Sequence, residues 1–238
     1  MAKTISVVSL KGGCGKSFFS LNLASALAMS GKQALLIDLN FSSPSIHSFL
    51  GVSNPEATIN HFLKGFQRAE DIVYQHPSGM KVIFGDADYG FTMLGSTGKI
   101  KDLVTRLSGK FDFIILDTAP SFSEGIKPAI FLSGSAIGVS QPYPYCLGPT
   151  LKSLELMKSQ GTKALGLALN QCKKTASEIA GKSLPAYTPL PLLASISYDD
   201  SINNSASRGH PLAYLDKKSE ISIIFSRLAS TISSRILL

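Results

Sequence analysis

Tryptophan is absent from this 238-residue chain, and cysteine occurs only three times, at Cys14, Cys146 and Cys172. The three cysteines are widely spaced, form no C-x-x-C and cannot all pair, which argues against a disulfide framework or a zinc knuckle. No apolar run approaches the roughly 18–20 residues needed to span a bilayer. The nearest candidate, residues 129–139, is interrupted by Ser133, Gly134 and Ser135. The N-terminus lacks a basic region followed by an apolar core and a cleavage site, so no signal peptide is expected. Charged residues are 16% and hydrophobic ones 44%, too few and too many respectively for a disordered chain. A soluble, cytoplasmic protein is the expectation.

What is present is alternation. Short β-branched or aliphatic runs at 4–10, 33–38, 80–85, 111–116, 135–141, 163–170 and 192–196 read as buried strands. Helical patterns at 16–30, 44–51, 59–65, 98–108, 149–160, 199–208 and 219–238 separate them, with Gly31 as a C-cap after the first. Continuous apolar strands alternating with helices predict an α/β fold, a doubly wound and mostly parallel sheet covered by helices on both faces. No linker, repeat or composition shift divides the chain, so residues 1–238 are expected to form a single domain.

The strongest chemical signal is Lys11-Gly12-Gly13-Cys14-Gly15-Lys16-Ser17, set between a strand and a helix. Glycines there let backbone N–H groups turn around phosphate oxygens, and the helix N-terminus favours the negative charge. Lys16 is placed to reach the β- and γ-phosphates and the Ser17 hydroxyl to ligate Mg²⁺. The ordinary G-x-x-x-x-G-K-[ST] pattern fails at its first position, which is Leu10. Asp38 and Asp117 each close an apolar strand, where a carboxylate can hold the waters of a magnesium ion or simply cap the next loop.

The K-G-G-x-G-K-[ST] form, with its additional Lys11, resembles the MinD/ParA group of deviant Walker A P-loop ATPases, and archaeal-type MinD-like proteins most closely. The resemblance continues through Asp38-Leu39-Asn40 (switch I), residues 111–120 (the Walker B strand and switch II), residues 168–171, residues 191–200 and residues 208–212. It implies ATP/ADP and Mg²⁺ as cofactors. Lys11, Gly12, Gly13, Cys14, Gly15, Lys16, Ser17 and Phe18 are then the nucleotide loop, with Asn170 and Ser197 on the adenine side. Ser17, Asp38 and Asp117 are the metal set, and Lys11, Lys16, Asp38 and Asn40 the catalytic set. It further implies an ATP-dependent homodimer in which Lys11 contacts the nucleotide of the other subunit. The function implied is that of a switch that positions a cellular cargo, answering to a protein activator or cargo adaptor.

Three departures qualify that expectation. Asn40 stands where the similar proteins carry a second acid near the attacking water. An amide cannot take a proton at neutral pH, although it can accept a hydrogen bond from water, so slow hydrolysis is expected. Ser197 replaces a proline beside the adenine. Cys14, at the variable loop position, reads either as a small loop-lining residue or as a redox-sensitive thiol beside lysines.

The net charge of +7 divides unevenly: residues 1–150 hold 12 basic and 10 acidic residues, and residues 151–238 hold 11 and 6. Non-specific DNA is therefore a candidate partner for the C-terminal third, through Lys173, Lys174, Lys182, Arg208, Lys217, Lys218, Arg227 and Arg235, with scattered solvated lysines as the plainer reading. The stripe from Ile221 to Ile236 is expected to pack on the sheet rather than on a membrane, and no amphipathic membrane tail is expected after that helix. The lack of paired cysteines and of a C-terminal tyrosine cluster sets the expectation apart from the iron–sulfur carriers and tyrosine kinases of similar fold.

Overall fold

The structure is a computed structural model that describes residues 1–86, 96–120 and 132–236. Part of the 129–139 stretch and the last two residues of the expected final helix lie outside the described residues. The strands are β1 (Lys3–Val8), β2 (Ala34–Leu39), β3 (Tyr74–Gln75), β4 (Lys81–Ile83), β5 (Phe113–Thr118), β6 (Ser135–Ser140), β7 (Lys163–Cys172) and β8 (Leu192–Ser197). The helices are α1 (Lys16–Met29), α2 (Ile46–Phe49), α3 (Ile59–Leu63), α4 (Ser96–Leu107), α5 (Pro144–Ser159), α6 (Ser201–Ser207), α7 (Leu212–Leu215) and α8 (Glu220–Ile236), with a 3₁₀ turn at Gly181–Ala186. Among the described residues the strands form one eight-stranded sheet in the order β3-β4-β2-β5-β1-β6-β7-β8. Each described pairing is parallel except β3 with β4.

Alternate strand residues face opposite sides of a sheet. Ala34, Leu36, Phe113 and Ile115 accordingly pack with Phe19, Leu23, Phe225 and Leu228 of α1 and α8. Their neighbours Leu35, Ile37, Ile114 and Leu116 pack with Ile59 and Leu63 of α3 and Ile100 and Leu103 of α4. A third cluster puts Leu147, Leu154 and Met157 of α5 over Val8, Ala136 and Leu167. Strands buried on both faces lose the polar alternation of a half-exposed sheet, which is why they read as continuous apolar runs. The α8 stripe faces inward: Ile221, Phe225, Leu228 and Ile232 are all buried in the first cluster. No helix among the described residues is long and apolar enough to cross a membrane.

The sequence reading does not anticipate α7 or the 3₁₀ turn, and two further differences have a plain physical reason. α5 begins at Pro144 rather than at 149, because a proline at the first helical position loses no hydrogen bond. Pro149 then sits inside the helix and has no N–H to donate to the Tyr145 carbonyl. The two-residue β3 is too short to produce a periodic signal. It is held by the turn that follows, in which His76 N–H donates to Met80 O at 3.0 Å and Gly79 takes φ +90°.

β1 sits between β5 and β6, so chain connections leave it toward both sheet edges. In a parallel sheet such a reversal opens a crevice at the carboxyl ends of the strands. The loop at residues 9–15 lies there.

Candidate nucleotide-binding site

The loop turns on two left-handed glycines, Gly13 at φ +76° and Gly15 at φ +83°. Gly15 is required twice over, because a Cβ there would stand 2.2 Å from Asn170 Nδ2. α1 starts directly behind it, with no side-chain N-cap and no acidic residue in its first turn, so the positive helix end is unopposed. The loop borders a cleft of about 340 Å³ whose near wall includes Gly12, Gly13, Lys16 and Ser17 and whose far wall includes Asn40, Ser42 and Ser43. Lys16 is 93% buried along this wall; burial lowers its pKa, and Asp117 and Cys14 oppose that shift.

Parallel pairing sets Asp38 of β2 directly beside Asp117 of β5. Both are fully buried. Asp117 Oδ2 accepts from Ser17 Oγ at 2.5 Å and Oδ1 from Ser20 Oγ at 3.1 Å. Asp38 Oδ1 accepts from Asn40 N–H at 2.9 Å, and Oδ2 from Ser45 and Ile46 N–H at 3.2 and 3.3 Å. Burial drives both acids up out of the ordinary carboxylate range, Asp38 to about 7 with Asp117 adding to the rise, and Asp117 to about 6 with Ser17, Lys16 and Ser20 restraining it. Asp38 thus does what a strand-end capping acid does and also faces a second carboxylate.

Two like acids with one lysine and a hydroxyl beside them form a hard-oxygen donor set short of positive charge. That chemistry fits Mg²⁺, which keeps several waters and shares its shell with phosphate oxygens. Ser17, Asp117 and Asp38 are the residues that would hold it, directly or through water. Among the described residues no group of three or more His, Cys, Asp and Glu side chains could hold a metal by itself.

The remaining expected residues are placed as follows. The Asn40 side chain closes its own turn: Nδ2 donates to Ser43 O at 2.7 Å and Oδ1 accepts from Ser42 Oγ at 3.0 Å. Lys11 is exposed at the loop's outer rim, its N–H donating to Ser9 Oγ at 3.2 Å. Cys14 is fully buried, with Ser9 Oγ 3.6 Å from its Sγ, as a small loop-lining residue would be. Phe18 borders the cleft, while its ring is buried edge-on to Phe225 at 5.9 Å. Asn170 is 99% buried and donates through Nδ2 to Cys14 O at 2.9 Å; its Oδ1 has no partner among the described residues. Ser197 is not brought into the phosphate cleft and instead lines a neighbouring hollow with Cys172, Lys173, Lys174 and Tyr198.

Sequence reasoning missed four residues. Ser20, one helical turn after Ser17, was detectable by spacing. Ser9, Gln141 and Gln171 carry no sequence signal, since their contacts depend on how β6, β7 and α5 pack around the loop.

A glycine-rich loop between a central parallel strand and a helix, with a buried acid from the adjacent strand on its serine, defines a P-loop nucleotide-binding protein. A family model described as ParA, NUBPL iron-transfer P-loop NTPase, matches residues 1–233, and the chain belongs to that ParA family. An ATP-binding protein of Methanocaldococcus jannaschii is 25% identical over 215 residues, 90% of this chain and 81% of the relative. The cell division ATPase MinD of Pyrococcus furiosus superposes with a TM-score of 0.91 at 28% identity, covering 99% of this chain and 100% of that one. MinD of Pyrococcus horikoshii, solved with Mg-ADP, gives 0.90 at 28% identity, with coverage of 98% and 96%. Relatives also include MinD of Bacillus subtilis and an iron–sulfur cluster carrier of Saccharolobus solfataricus, so kinship by itself leaves the specific function open.

Proposed function

We propose that this protein is an ATP-dependent dimerisation switch that positions a cargo in the cell, and that it hydrolyses ATP slowly. The observation that carries the reading is the Asp38–Asp117 pair beside Ser17 and Lys16, a site in need of positive charge at the foot of an anion-binding loop. The loop amides and Lys16 bind the phosphates, and α1 supplies its positive end. Ser17 and the two acids would hold Mg²⁺, which when bound would supply positive charge beside the phosphates. The base is assigned to the side of Asn170 and Ser197, as the resemblance implies.

Slow hydrolysis follows from Asn40. An amide engaged with Ser42 and Ser43 offers neither a carboxylate nor an uncommitted side chain to the attacking water. Exposed Lys11 is free to reach a second subunit, which makes dimerisation depend on the γ-phosphate. An iron–sulfur carrier of this fold would need accessible paired thiols, whereas Cys14 and Cys146 are both fully buried. The candidate DNA-binding lysines and arginines Lys173, Lys174, Lys182, Arg208, Lys217, Lys218 and Arg227 are exposed but spread over several elements, and the Arg235 side chain lies outside the described residues. This dispersion favours a protein activator or adaptor as the primary partner.

Single-turnover hydrolysis of wild type against Asn40→Asp tests the reading. Mg-ATP binding with slow turnover in wild type, and faster turnover in the variant, is expected. A rapid wild-type enzyme that the substitution does not accelerate contradicts it.

A further inference from the structure

Successive residues of a strand point to opposite faces, so Asn170 and Gln171 should not both reach the phosphate loop. They do. Asn170 Nδ2 donates to Cys14 O at 2.9 Å, and Gln171 Nε2 donates to Gly13 O at 3.1 Å. The alternation is broken at Gln171, which takes φ +61°, and the β7–β8 register shifts between Leu169 and Cys172. Such irregularities re-aim side chains and are costly for a residue with a Cβ. Gln171 is also braced from the residue that follows β6: its Oε1 accepts from Gln141 Nε2 at 2.5 Å, and Gln141 Oε1 lies 3.2 Å from Cys146 Sγ.

A planar trans peptide carries its N–H opposite its C=O. Drawing the Gly13 and Cys14 carbonyls toward β7 therefore turns the Cys14 and Gly15 N–H groups toward the cleft. We propose that Asn170 and Gln171, with Gln141 as a brace, are positioning residues that aim these two amides at the phosphate chain. The strained backbone at Gln171 is then the cost of bringing two adjacent side chains onto consecutive loop carbonyls. This inference rests on the reading of the cleft as a nucleotide site and adds residues that touch the loop from behind it.

The test uses the full chain and inorganic tripolyphosphate, which lacks a base, alongside ATP, each titrated by calorimetry with Mg²⁺ present. Gln171→Glu removes the donor to Gly13 O and sets a carboxylate against it; Gln171→Gly removes the donor and relieves the backbone. Both are expected to weaken tripolyphosphate and ATP alike, by about fivefold or more for the glycine variant. The glycine variant should melt no lower than wild type. Amide NMR supplies a readout that a merely structural role would not move. Tripolyphosphate should shift the Cys14 and Gly15 signals in wild type, and this response should be lost in the variants. Wild type that binds neither ligand overturns the nucleotide reading itself. Wild type that binds both, with both variants within twofold of it, overturns the positioning role alone.

Discussion

Asp38 and Asp117 occupy paired positions on β2 and β5, fully buried, with the Ser17 hydroxyl bonded to Asp117. Burial strips water from both carboxylates, and Asp117 adds its repulsion at Asp38, so the fold raises both acids above the usual carboxylate range. The candidate nucleotide site is therefore also a locus of native-state cost, relieved by a proton or a cation.

A pH dependence follows. An acid whose folded pKa is raised makes the native state bind more protons than the unfolded chain. The pair thus withdraws stability from the metal-free protein as pH rises from about 4 to about 7. Asp117→Asn is expected to melt higher than wild type at pH 8, by several degrees, and to lose the Mg²⁺-dependent part of ATP binding, tenfold or more. Thermal scans across pH and ATP titrations with and without Mg²⁺ read both effects.

His76 gives the opposite slope in the same range. It is 99% buried; its Nδ1 accepts from Ser78 N–H at 3.1 Å and its Nε2 lies 2.9 Å from His210 Nδ1, so its neutral form ties the β3–β4 turn to the segment before α7. Burial, with His210 adding to it, lowers its pKa from 6.5 to about 4. The unfolded chain then binds the extra proton, and stability is lost as pH falls from 6.5 toward 4. Because the acid pair acts against this, the effect is read as a difference: His76→Gln should flatten the acid limb of urea midpoint against pH. An unchanged limb contradicts it.

Gly15→Ala meets two obstacles at once, a left-handed φ of +83° and the Asn170 amide. The backbone term costs about 1–2 kcal/mol. Asn170 must also leave Cys14 O, so ATP binding should fall below detection while the fold survives. Circular dichroism paired with ATP titration separates the two.

Much of this was legible in the sequence, and for identifiable reasons. The loop announces itself because phosphate geometry demands glycine and lysine at fixed spacing, and Asp38 and Asp117 stand out as acids ending apolar runs. The start of α5 was obscured by two prolines, of which Pro149 looks like the first helical residue and Pro144 is. The arrangement around Gln171 was invisible, because period-two reasoning places it on the face away from the loop. Likewise Asn40 is readable as a missing acid, but not as an amide closing the turn at Ser43.

In the proposed switch, the γ-phosphate of ATP assembles two copies of this chain through Lys11. Light scattering after size exclusion, in Mg-ATP against Mg-ADP, tests it most directly. A dimer in ATP, a monomer in ADP, and a Lys11→Ala variant that binds ATP yet stays monomeric are expected. A dimer that forms equally in ADP, or one that persists in Lys11→Ala, contradicts it.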